Sequence, residues 1–130
     1  MRVILEPLEA ENLFHTALCN GLGGFDYYGI SVSYDKKDYD KAKESLKDTH
    51  ASACYEDILL QILRNGGKLF IIDHEGEDEE IQKSITLTDV HERVHNAPNT
   101  HLMDMIFERD DSITADVILQ WVFFQEIIYA

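Results

Sequence analysis

The sequence predicts an α+β domain, in which helices pack on a small antiparallel sheet that includes one β-hairpin. Three observations predict it. Apolar residues recur at helical spacing over residues 10–18 and again over 55–63. Tyr28, Ile30, Val32 and Tyr34 alternate with Gly29, Ser31 and Ser33, the period of a half-buried strand. Two more strand-like runs, 68–73 and 81–87, flank an acidic segment. At 130 residues, the chain suits one domain able to bury a core without staples.

The first helix is expected to start at Pro7, whose fixed φ and missing N–H suit a first turn, with Glu9 and Glu11 favourable near its N-terminus. Ala10, Leu13, Phe14, Ala17 and Leu18 form its stripe, and Gly21, Gly23 and Gly24 are expected to stop it. Those glycines follow a helix, whereas a phosphate-cradling loop follows a strand and opens a helix, so a dinucleotide site is not expected there.

Residues 35–47 hold five of the seven lysines together with Asp38, Asp40 and Glu44, and only Tyr39, Ala42 and Leu46 give them an apolar stripe. This is a solvated surface helix. A third helix, expected to be capped by Ser52, buries Tyr55, Ile58, Leu59, Ile62 and Leu63 and ends at Asn65, Gly66 and Gly67.

The hairpin that follows carries six carboxylates in the eight positions 73–80. A calcium loop needs a glycine at its sixth position for the sharp turn, and counting from Asp73 that position is Asp78. The tip therefore reads as a solvated, self-repelling loop. A winged-helix DNA binder would need basic residues on this wing, and it has none.

After the hairpin stands His91, Glu92, Arg93, Val94 and His95, with His101 six positions further on. Two histidines at i and i+4 on one helix face can hold zinc, with the intervening glutamate as general base. The spacing resembles the metzincin motif, which implies His91, His95 and His101 as ligands and Glu92 as base. The family's glycine, which swings the chain back towards the metal, is Pro98 here, and proline cannot take positive φ. With the helix capped at Thr88, His91 stands about one turn from its start. Leu87, Val90 and Val94 mark the buried face, from whose centre His91 lies about 70° and His95 about 110°, while Glu92 and Arg93 turn to solvent. The residues fit an amphipathic surface helix.

Pro98 breaks that helix, and Leu102, Met103, Ile106 and Phe107 restart a helical stripe. Residues 109–112 form a hydrophilic joint. Residues 117–129 hold ten apolar residues in thirteen, a core element or an interface. Thr114 and Asp116 predict a helical start, and periodicity leaves 121–129 open between helix and strand.

Charge is the most unusual property of the composition. There are 25 acids against 11 bases, a net of -14. Residues 1–68 carry a net of -3 and residues 69–130 a net of -11. Such a field repels nucleic acid and anionic membrane and favours basic protein partners. No apolar run reaches membrane-spanning length, and the opening residues are too soon interrupted for a signal peptide. Cys19 and Cys54 form no framework by spacing and are expected as two buried thiols of a cytoplasmic protein. His15 and Cys19, at i and i+4, read as ordinary helix neighbours, and Cys54 has no histidine at a recognisable spacing.

Four stretches, 5–23, 54–63, 85–94 and 115–124, resemble a family of small acidic proteins encoded on conjugative mobile elements of gut bacteria. The resemblance implies a bacterial, mobile-element setting and supplies no catalytic residues.

Two functions follow as expectations. The first is a non-enzymatic acidic interaction domain without a cofactor, in one form a decoy for the basic surface of a DNA-handling protein. Its interaction residues would be Glu75, Glu77, Asp78, Glu79 and Glu80 on the hairpin tip, with Trp121 and Phe124. A generic partner-binding domain or homodimer would use Trp121, Phe123, Phe124 and Tyr129. The alternative is a minimal zinc-dependent hydrolase with His91, His95 and His101 as ligands and Glu92 as base.

Overall fold

A computed structural model describes residues 4–49, 53–73, 81–109 and 111–127. Among the described residues, six helices pack around a three-stranded antiparallel sheet of order β1-β2-β3, the α+β architecture that the periodicities predict. The elements are α1 (Pro7–Tyr27), β1 (Ile30–Ser33), α2 (Lys36–Leu46), α3 (Tyr55–Arg64), β2 (Leu69–Asp73), β3 (Ile81–Ile85), α4 (Leu87–Val94), α5 (Asn99–Ile106) and α6 (Ser112–Phe124). In the sheet, Ser31 lies opposite Ile72, and Leu69 lies opposite Ile85. The hairpin tip, 74–80, lies outside the described residues, as does Tyr129.

α1 is longer than its glycines suggest. It runs through Gly21, Gly23 and Gly24 to Tyr27. The reason is tertiary: a Cβ at Gly21 would stand 2.8 Å from Leu119 Cδ1 and 3.1 Å from the Ala115 carbonyl carbon. Gly21 thus lets the backbones of α1 and α6 approach closely, and that packing outweighs the low helix propensity of glycine. Around this crossing, Phe14 and Phe25 place their rings 6.2 and 6.0 Å from that of Phe123. α1 and α6 form the principal helix pair, with α3 and α4 against α1, and α4 and α5 against α6.

The apolar run at the end of the chain is helix up to Phe124. Ile118, Leu119, Val122 and Phe123 are fully buried, and α6 ends where Gln125 takes φ 59°. Its start is helical as Thr114 and Asp116 predict, with Asp111 accepting from the Thr114 N–H at 2.9 Å as the N-cap.

Three other boundaries differ from expectation. Ser52 lies outside the described residues, and the residue in the N-cap position of α3 is Cys54. α4 is capped by Thr86, not Thr88: the Thr86 N–H donates to Asp89 Oδ2 at 2.9 Å and the Asp89 N–H to Thr86 Oγ1 at 3.4 Å. This capping box takes Leu87 out of β3 and into the helix. On α5 the buried residues are Leu102 and Met105, while Ile106 and the C-cap residue Phe107 are exposed. α3 ends as expected at Asn65 and Gly66, where the glycine takes φ 91°.

Candidate functional site

The histidine string does not assemble around one point. On α4, His91 faces α1, where its Nε2 lies 2.8 Å from Glu11 Oε2. Arg64 of α3 donates its Nε–H to the other oxygen of Glu11 at 2.7 Å. Glu11 is only 8% exposed, so this carboxylate joins three helices from inside the fold. Burial opposes its ionisation, yet the bonds from Arg64 and His91 outweigh burial and hold its carboxyl below the usual range. His95 is the C-cap of α4, and His101 sits on α5 with Nδ1 3.3 Å from Thr114 Oγ1. Pro98 is the N-cap of α5 and starts a new helix, so it does not turn the chain back. Glu92 is exposed. Arg93 departs from its expected solvent-facing position: it donates to the Val122 carbonyl at 2.9 Å and pairs with Asp89 at 3.4 Å, tying α4 to α6.

A different set of donors is brought together. α1 carries His15 and Cys19 one turn apart, and the start of α3 carries Cys54 and Asp57. Asp57 Oδ2 accepts from the Cys54 N–H at 3.1 Å, and Asp57 Oδ1 lies 2.6 Å from His15 Nε2. On the other side of the ring, His15 Nδ1 lies 3.9 Å from Cys19 Sγ. Among the described residues, His15, Cys54 and Asp57 form the group that brings three potential metal-ligating atoms within 4.8 Å of one another. The imidazoles of 91, 95 and 101 do not.

Both thiols are exposed, a departure from the buried pair expected of them. Burial of the sulfur, then the nearby Glu56, Cys54 and Asp57, push the Cys19 thiol up, and desolvation does the same for Cys54. For Asp57, desolvation is outweighed by hydrogen bonds from Cys54 and His15, which hold its carboxyl below the usual range. His15 and Asp57 also line a cleft of about 180 Å³ whose wall includes Arg64. Sequence spacing hides this cluster because His15 and Asp57 are 42 positions apart. The one local signal was Cys54 three residues before Asp57, a helix-start spacing.

A surface groove of about 380 Å³ runs between α1 and α5. Leu5, Leu13, Met105 and Ile106 supply its apolar lining, and Glu9 and Glu108 are the charged residues on it. Ile106 is 40% exposed and the adjoining Phe107 58% exposed, so apolar surface continues beyond the groove.

Of the interaction residues expected from sequence, the described ones are Trp121, Phe123 and Phe124. Glu75, Glu77, Asp78, Glu79 and Glu80 lie outside the described residues. Phe124 is buried with its ring 6.3 Å from that of Phe25, and Phe123 is fully buried, so neither presents a dimer surface. Both are consumed by the α1–α6 core. Trp121 is half-buried against that core. No helix among the described residues is long and apolar enough to cross a membrane. Compared with family models, curated proteins and solved structures, the chain matches none.

Proposed function

We propose that this chain is an acidic protein-interaction domain that receives a basic, amphipathic segment of a partner in the groove between α1 and α5. The observation that carries the reading is the groove itself: an apolar lining of Leu5, Leu13, Met105 and Ile106 carrying only the carboxylates of Glu9 and Glu108 as charged groups. A helix or extended segment with an apolar face and flanking lysines or arginines complements both features. The charge of the chain supports it, since 25 acids face 11 bases and five of the seven lysines lie on α2 or at its C-cap, away from the groove lining. A partner whose basic surface otherwise meets DNA suits such a domain, and binding to it would exclude nucleic acid.

The test is a titration of the isotope-labelled protein with a panel of basic amphipathic peptides, followed by amide shifts. Shifts confined to α1 and α5, weakened at least tenfold by Glu108→Lys or Ile106→Asp and by raising salt from about 0.05 to 0.5 M, support the reading. Affinity insensitive to both substitutions, or shifts elsewhere on the surface, overturns it.

A further inference from the structure

We infer that His15, Cys54 and Asp57 form a site for one zinc-class transition-metal cation, with Cys19 orienting the His15 ring. The donor set selects the metal. A thiolate, an imidazole and a carboxylate suit zinc and its neighbours, whereas calcium and magnesium prefer sites made wholly of oxygen. The spacing is near what such an ion requires. Ligand atoms about 2.0–2.3 Å from a tetrahedral zinc stand roughly 3.3–3.8 Å from each other. Here the three lie within 4.8 Å of one another, and the closest contact is the 2.6 Å between His15 Nε2 and Asp57 Oδ1. A cation replacing the proton shared by that pair opens it by about 1 Å.

The framework around the donors holds them in place. Cys54 and Asp57 stand three positions apart at the start of α3, and the bond from the Cys54 N–H to Asp57 Oδ2 fixes them relative to one another. His15 approaches from the middle of α1. When its Nε2 takes the metal, its Nδ1 carries the ring proton and faces Cys19 Sγ at 3.9 Å. Metal-bound imidazoles commonly donate their second N–H to a carboxylate, carbonyl or water, which fixes the tautomer and the ring plane, and here Cys19 Sγ stands in that position. Three protein donors leave a fourth position, and the 180 Å³ cleft lined by His15, Asp57 and Arg64 supplies room for water or a small anion there.

The experiment uses the full chain, purified without a polyhistidine tag and titrated with zinc and with cobalt(II). One equivalent is expected to bind, with a thiolate-to-cobalt charge-transfer band in the near ultraviolet. Cys54→Ser is expected to erase that band, and His15→Gln to weaken zinc at least tenfold, while His95→Gln and His101→Gln leave both intact. Cys19→Ser should keep the metal but shift the cobalt spectrum. Less than about a tenth of an equivalent after reconstitution, or a band that survives Cys54→Ser, overturns the site. Should the ligand variants fail to fold, alkylation of the unaltered protein decides. Zinc slowing iodoacetamide attack on Cys54 at least tenfold supports the site, and an unchanged rate overturns it.

Discussion

His91 Nε2 lies 2.8 Å from Glu11 Oε2, 80 positions away in the chain. The first histidine of the HExxH string is thus a structural partner that ties α4 to α1. Arg64 donates to the same carboxylate from α3. Glu11→Ala removes the acceptor of both and should destabilise the protein by about 2 kcal/mol, while Glu92→Ala, on an exposed position, should change stability by less than about 0.5 kcal/mol. Urea denaturation of the two variants checks the contrast. A metalloprotease site would reverse the ranking for function, with Glu92 the more damaging loss.

The same carboxylate sets a pH dependence. The ordinary value of such a group is 4.5, and in the folded protein Glu11 titrates below it. The unfolded chain therefore binds the proton more readily than the native one. Its stabilisation is fully present above pH 4.5 and is lost as pH falls through the lowered folded value. Glu11→Gln should accordingly narrow the gap to the unaltered protein as the medium is acidified. A gap constant from neutral pH down to about 3 would remove the assignment.

Gly21 and Gly23 lie two positions apart on α1 and should respond oppositely to alanine. At Gly21 the new methyl would meet Leu119 Cδ1 at 2.8 Å and backbone of Ala115 at 3.1 Å, and should cost about 1–3 kcal/mol. At Gly23 nothing lies within 4 Å of the added Cβ, so alanine should stabilise by about 0.5–1 kcal/mol through helix propensity alone. Thermal melts of both variants decide.

Asp116 points to a second position for stabilisation, at Gly24. Tyr28 and Gln120 both donate to its Oδ2, at 3.1 and 3.0 Å. Among the described residues, its Oδ1 is the buried side-chain polar atom left without a hydrogen bond, and burial pushes the carboxyl up. A Cβ at Gly24 would stand 3.6 Å from that oxygen. Gly24→Ser places a hydroxyl within reach and should stabilise by about 1 kcal/mol, whereas Gly24→Ala should return only the smaller propensity gain.

Much of the fold was legible in the sequence, because burial writes itself as a period. Of the stripe Tyr55, Ile58, Leu59, Ile62 and Leu63, all but the exposed Tyr55 are buried as read, and so are Val90 and Val94. What the sequence hid was long-range. Glycine at 21 reads locally as a helix stop, and only the partner helix α6 explains why it is not one. Thr86 and Thr88 both precede helical residues, and the bond to Asp89 chooses between them. The metal-competent group joins residues from two helices 42 positions apart, so no spacing rule finds it. HExxH and the histidine six positions on, by contrast, were fully visible, and the tertiary structure sets His91 against Glu11 and His101 against Thr114.

Four of the seven lysines stand on α2 and a fifth, Lys47, is its C-cap residue, while Glu6, Glu9, Asp104 and Glu108 gather on or beside α1 and α5. The lysines are interleaved with Asp35, Asp38, Asp40, Glu44 and Asp48, so that stretch is close to neutral, whereas the α1 and α5 side presents carboxylates. A cationic partner seated on the α1 and α5 side should therefore leave the amines of α2 open to acylating reagents.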